Sequence, residues 1–173
     1  MSELTWPNIP IVSAIIERMG KNGQKEVLVQ TRWKPGVSEY SWTMEIPAGW
    51  IERYENVYDA LKREVQEETG LNIIKFTPDI CTSVHSISGD GAFAFKSFCC
   101  QQQLKWGLPW MGFVFICEVE EGELKSQESE SRDVRWISIS DLAQLVYHER
   151  TKIFILQIGP LELYLKENGY FWS

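Results

Sequence analysis

Gly49-Trp50-Ile51-Glu52-Arg53-Tyr54-Glu55-Asn56-Val57-Tyr58-Asp59-Ala60-Leu61-Lys62-Arg63-Glu64-Val65-Gln66-Glu67-Glu68-Thr69-Gly70-Leu71 is the stretch on which the whole chain turns. Asn56 suits a helix N-cap, no Gly or Pro follows before Gly70, and Val57, Ala60, Leu61 and Val65 recur at helical spacing. A helix is therefore expected from Asn56 to Thr69, ended by Gly70. On it Glu64, Glu67 and Glu68 stand at i, i+3 and i+4, so three carboxylates converge on one arc. Each like-charged pair costs about 0.2–0.5 kcal/mol, and the negative end of the helix dipole disfavours acids in the last turn. The arc overlaps the inward face of Val57, Ala60 and Leu61, which places part of the cluster against the fold. A solvated acidic face is the bland reading; a hard divalent cation is the sharp one. Carboxylates without His or Cys suit Mg²⁺ or Mn²⁺, which take oxygen ligands and keep waters that a phosphate can displace.

The flanking residues decide between these. The order is Gly49, five residues, Glu55, seven residues, then Arg63-Glu64-Val65-Gln66-Glu67-Glu68-Thr69-Gly70-Leu71. It resembles the signature of the Nudix hydrolase family at every fixed position. At ordinary residue frequencies such a match arises by chance in about one chain in ten million. The resemblance implies that Glu64, Glu67 and Glu68 ligate divalent ions, with Glu64 and Glu67 also catalytic, and that Arg63 and Glu55 brace the loop and helix. It further implies that a carbonyl beside Gly49 adds a metal ligand. Gly tolerates positive φ, so Gly49 is expected to allow a tight turn, and an Arg one residue before a ligand can orient a neighbouring carboxylate.

Outward from this segment, Val12 to Met19 and Glu26 to Trp33 read as an antiparallel hairpin across the turn Lys21-Asn22-Gly23-Gln24. Met44 to Ile51 is extended with a Pro-Gly turn. Ile73 to Val84 reads as a strand interrupted at Pro78, Ser86 to Gly91 as a loop, and Ala92 to Cys100 and Met111 to Val119 as strands joined by Gln101 to Trp110. Glu118 to Asp133 is acidic and loop-like, and Val134 to Ile139 returns to strand. Ser140-Asp141 can cap a short helix through Tyr147, and Leu161 to Asn168 reads as a terminal helix closed by Gly169. The class is α+β. The family resemblance sharpens this to one domain over residues 1–173, an alpha/beta/alpha sandwich with a mixed sheet flanked by helices.

Composition narrows the partners. The longest apolar runs, such as Met111 to Cys117, fall far short of the roughly 20 residues of a membrane span, and Met1-Ser2-Glu3-Leu4 has no export-signal character. With 17 Lys plus Arg against 24 Asp plus Glu, the net charge of −7 repels nucleic-acid backbones, so broad nucleic-acid binding is excluded. Cys81, Cys99, Cys100 and Cys117 form no C-x-x-C pair, and they read as small buried hydrophobes in a reducing cytoplasm.

The resemblance implies hydrolysis of a nucleoside diphosphate linked to another group, with metal ions polarising the phosphoryl oxygens and generating hydroxide. The base is one of the box glutamates or the loop residue Glu130, with Glu128 beside it. Met44-Glu45-Ile46-Pro47-Ala48-Gly49 is similar to the lead-in of ADP-ribose and nucleotide-sugar pyrophosphatases, which makes Glu45 and Arg32 candidates for metal or phosphate contacts. That subgroup carries a Pro about fifteen residues past the box, where this chain has Ser86-Ile87-Ser88. Trp50, and with it Trp33, Trp42, Phe93 and Phe95, could stack a base. A triphosphate pyrophosphatase and a non-catalytic nucleotide sensor are the alternatives, and a homodimer is compatible with the aromatic content.

Overall fold

The computed structural model describes residues 8–33, 40–105, 107, 109–126 and 131–172. β1 (Ile9–Met19) forms the spine, followed by β2 (Lys25–Arg32), β3 (Met44–Glu45), β4 (Ala48–Trp50), α1 (Val57–Thr69) and β5 (Ile73–Thr77). A hairpin of β6 (Cys81–His85) and β7 (Gly91–Phe95) comes next, then β8 (Cys99–Gln102), β9 (Trp110–Val119) and β10 (Ser131–Ser138). α2 (Ile139–His148), two 3₁₀ turns at Arg150–Lys152 and Ile155–Gln157, and α3 (Ile158–Glu167) close the chain.

The main sheet runs β10-β2-β1-β9-β5, with β3 on β2, β4 on β1 and β8 on β9. The expected hairpin exists, but only at its tip, where Glu17 opposes Val27 and Met19 opposes Lys25. The rest of β1 pairs in parallel with β9, from Ile9 beside Trp110 to Ile16 beside Cys117, and in antiparallel fashion with β4. The sheet is therefore mixed.

Both faces of the sheet are covered, and successive side chains divide between them. Val12, Ala14, Ile16 and Leu28 pack with Val57, Leu61 and Val65 of α1. Ile15, Val27 and Val29 pack with Leu142, Val146, Leu161 and Leu165 of α2 and α3. The two cores define a sandwich of helix, sheet and helices. They also explain why consecutive residues are buried at Val12 to Ile16 of β1 and at Val27 to Gln30 of β2.

Several segments depart from expectation, among them β10, which begins at Ser131 and not Val134, and α3, which begins at Ile158 and not Leu161. Pro78 splits Ile73 to Val84 into β5, which joins the main sheet, and β6, which pairs only with β7. Ala92 to Cys100 is likewise two strands, each in a different sheet. α2 begins earlier, at Ile139, because the Ser138 hydroxyl accepts from the Asp141 amide at 3.0 Å and so takes the cap position. The thiols also divide: Cys117 is buried and Cys99 partly so, but Cys81 and Cys100 are exposed, because β6 and the outward positions of β8 face solvent. No helix among the described residues is long and apolar enough to cross a membrane.

Candidate active site and metal centre

α1 starts where the Asn56 side chain accepts from the amides of Tyr58 and Asp59, both at 3.0 Å. It ends at Gly70, whose φ of 75° is the left-handed stop that a residue without Cβ adopts readily. Its last turn contains no basic residue, and the counter-charge for Glu64 and Glu67 comes from Arg63, one turn earlier.

The three glutamates of that arc are not equivalent. Glu68 is buried, with Oε2 accepting from the Ala48 amide and from Gln30 Nε2, each at 3.1 Å. Glu64 is mostly buried and lies against β4. An ideal Cβ on Gly49 would sit 1.8 Å from the Glu64 carboxyl carbon. Gly49 thus serves close approach and not the tight turn expected of it: it lies in β4, opposite Val12, outside the positive-φ set. Glu67 faces solvent at the rim.

Arg63 organises the cluster. It donates from Nε to Glu55 Oε1 at 3.1 Å and from Nη2 to Glu55 Oε2 at 2.9 Å, a two-pronged contact with planar geometry on both sides. The same guanidinium donates to Glu64 Oε1 at 2.6 Å and to the Trp50 carbonyl at 2.9 Å, and stands 3.6 Å from Glu67. The hydrogen bond from Arg63 holds the Glu55 carboxyl below its usual pKa, and Glu55 in turn raises that of Arg63. This contact ties the loop after β4 to the helix.

Glu45, on β3, is the second buried acid among the described residues. It accepts from Arg32 Nη1 at 2.8 Å and from Gln30 Nε2 at 3.4 Å. Arg32 also lays its guanidinium over the Phe154 ring at 4.3 Å. Burial pushes the Glu68 carboxyl well above the ordinary range, and the nearby charge of Glu45 pushes the same way, against the Ala48 and Gln30 hydrogen bonds.

This oxygen-only set fits a hard divalent cation. Glu68 and Glu64 are withdrawn from water beside a glycine that leaves room for a carboxylate, and Glu45 adds a further buried negative charge. Among the described residues, no group of three or more His, Cys, Asp or Glu side chains is gathered closely enough to hold a metal ion as they stand. The acids form an array along the helix, braced from one side by Arg63.

Residues 8–157 match the family model described as NUDIX domain. The chain belongs to the NUDIX family. A Caenorhabditis elegans protein carrying the name nudix hydrolase 1 is 30% identical over 158 residues, covering 91% of this chain and 36% of its own length. The chain thus spans about a third of the curated relative it matches. Its fold resembles the MutT protein of Methanosarcina mazei Go1 at TM-score 0.64 and 17% identity, covering 96% of this chain and 99% of that one. It also resembles the NUDIX domain of Shewanella oneidensis NrtR, solved with ADP ribose, at TM-score 0.62 and 12% identity, with 97% and 93% coverage. A C. elegans Ap4A hydrolase binary complex follows at TM-score 0.60 and 14% identity, covering 94% and 99%.

Within this NUDIX domain, the structure brings together Glu64, Glu68, Gly49, Arg63, Glu55, Glu45 and Arg32. Trp50 exposes its indole at the end of β4 while its carbonyl is engaged by Arg63. Glu128 and Glu130 lie outside the described residues. Two glutamines escaped the sequence reading. Gln30 is fully buried and joins Glu45 to Glu68. Gln157 accepts from the Ile46 amide at 2.7 Å and donates to the Ile46 carbonyl at 2.9 Å, fixing the strand just after Glu45. The only sequence signal was an amide ending the apolar run Val27-Leu28-Val29.

Proposed function

We propose that the protein is a Mg²⁺- or Mn²⁺-dependent hydrolase that cleaves the diphosphate bond of a nucleoside diphosphate derivative, with ADP-ribose or a nucleotide sugar as substrate class. The observation that carries this reading is the withdrawal of Glu64 and Glu68 from water, against a glycine and beneath an arginine brace. A folding role alone would favour a neutral residue at the buried Glu68, because desolvating a carboxylate is costly even where two neutral donors reach it.

When bound, the metal ions supply charge neutralisation of the diphosphate and lower the pKa of attacking water. Glu64 and Glu68 would hold the ions, with Glu45 adding negative charge from behind and Arg63 orienting Glu64. Glu67, at the solvent rim, would accept the proton of the attacking water. Glu130 is the alternative acceptor. Trp50 offers an exposed ring beside the cluster. The relatives solved with ADP ribose and as an Ap4A hydrolase complex support a small nucleotide ligand. A cytoplasmic location and a homodimeric assembly belong to this proposed reading.

The test incubates the protein with Mg²⁺ and a panel of ADP-ribose, nucleotide sugars, dinucleotides and nucleoside triphosphates, identifying products by mass. Two phosphorylated organic products from a diphosphate are expected. Release of inorganic pyrophosphate from triphosphates alone would favour the triphosphatase reading, and binding without turnover the sensor reading.

A further inference from the structure

Gln30 stands on β2 two residues after Leu28 and so shares its α1 face, on a strand where Val27, Leu28 and Val29 are all fully buried. Folding alone would place an apolar side chain there. The amide instead reaches two acids at once: Nε2 donates to Glu68 Oε2 at 3.1 Å and to Glu45 Oε1 at 3.4 Å. Its other end has no such outlet. Gln30 Oε1 is buried and has no hydrogen-bond partner among the described residues. An acceptor withdrawn from water and left unpaired is costly, and in a native fold it marks a donor that the chain itself does not supply.

The surroundings narrow what that donor is. Ionised, Glu45 and Glu68 only accept, so neither can serve the amide oxygen. The Ala48 amide and Gln30 Nε2 both reach Glu68 on Oε2, leaving its Oε1 outside their contacts. Among the described residues, no group of three or more acids is gathered tightly enough to hold an ion on carboxylates alone. A hard divalent cation such as Mg²⁺ therefore keeps several waters here, and those waters are donors that need buried acceptors. The amide oxygen beside Glu68 is one.

We propose that Gln30 is a positioning residue of the metal centre: its Nε2 holds Glu45 and Glu68 in place, and its Oε1 accepts from a water carried by the divalent ion. This rests on the proposed metal-dependent reading and adds to it a residue outside the Gly49 to Leu71 signature. A water at Oε1 that belonged to the fold alone would leave ion affinity untouched, so ion affinity separates the two roles.

The experiment strips the full chain of metal with a chelator, removes the chelator and titrates with Mn²⁺, counting free ion by electron paramagnetic resonance at a temperature where circular dichroism shows every variant folded. Gln30→Leu and Gln30→Met, which keep bulk and lose both amide atoms, should each bind Mn²⁺ about ten-fold or more weakly than wild type. Tyr164→Phe is the control: it deletes a buried hydrogen bond to Glu17 on the α2 and α3 side, and its affinity should stay within two-fold of wild type. In the wild-type chain, Mg²⁺ should shift the Gln30 side-chain amide resonance in nuclear magnetic resonance spectra, a readout that needs no variant to fold. Wild-type Mn²⁺ affinity in either folded Gln30 variant, or a Gln30 amide unmoved by saturating Mg²⁺, shows a structural water only and overturns the role of Gln30 while the metal centre stands. An equal loss in Tyr164→Phe traces the effect to general stability and overturns it likewise. A wild-type chain that binds no Mn²⁺ overturns the metal centre itself, and the role of Gln30 with it.

Discussion

The Glu64 carboxylate occupies the space that a Cβ on Gly49 would need, with its oxygens 2.0 and 2.2 Å from that point. Glycine at this position is a requirement of the acid and not of the backbone. The obstacle is the far end of a flexible side chain, so Gly49→Ala can be accommodated by swinging Glu64 aside. The expected outcome is a protein whose Tm falls by no more than about 3 °C while Mg²⁺-dependent turnover drops about a hundred-fold or more. Thermal melts and steady-state rates on one preparation check this. Undiminished turnover would remove Glu64 from the site.

Glu68 makes a pH-dependent prediction. Burial and then Glu45 raise its pKa in the folded state, so the folded chain binds that proton more tightly than the unfolded one. The resulting stability is fully present below the unfolded carboxyl pKa and is lost as pH rises through the folded value. Without metal, Glu68→Gln should be more stable than wild type at pH 8, with the gap narrowing towards pH 5. At about 2–4 °C per kcal/mol, melting curves in a chelator resolve it. A gap that widens on acidification contradicts the buried, charged Glu68.

Gln30 donates to both Glu45 and Glu68 from one buried amide nitrogen. Gln30→Leu removes that donor from two withdrawn acids while preserving bulk. The expected cost is about 2 kcal/mol in urea unfolding of the metal-free protein, since hydrogen bonds to charged groups are worth about 1.5–3 kcal/mol. A loss under about 0.5 kcal/mol would show that the acids do not depend on it.

The thiols should react in sequence. Cys81 and Cys100 are exposed, whereas burial pushes the Cys99 thiol up to about 11 and that of Cys117 further still. Mass spectrometry of the native protein treated briefly with iodoacetamide at pH 8 should show modification at Cys81 and Cys100 first, slow reaction at Cys99 and none at Cys117. Early labelling of Cys117 would place β9 at the surface.

What the sequence alone determined was local or periodic. Asn56 and Gly70 bounded α1 because a cap and a left-handed stop act within a few residues. The arc of Glu64, Glu67 and Glu68 followed from helical geometry, and the spacing of Gly49, Glu55 and Arg63 to that arc carried the family. What only the tertiary structure decided were relations between distant strands. The parallel pairing of β1 with β9, the separation of β5 from β6, the burial that makes Glu68 unlike Glu67, and the joining of Glu45 to Glu68 by Gln30 all depend on which chain segments meet. A side chain's neighbours across a sheet are set by register, and register arises from the packing of both faces at once. No window of sequence contains it.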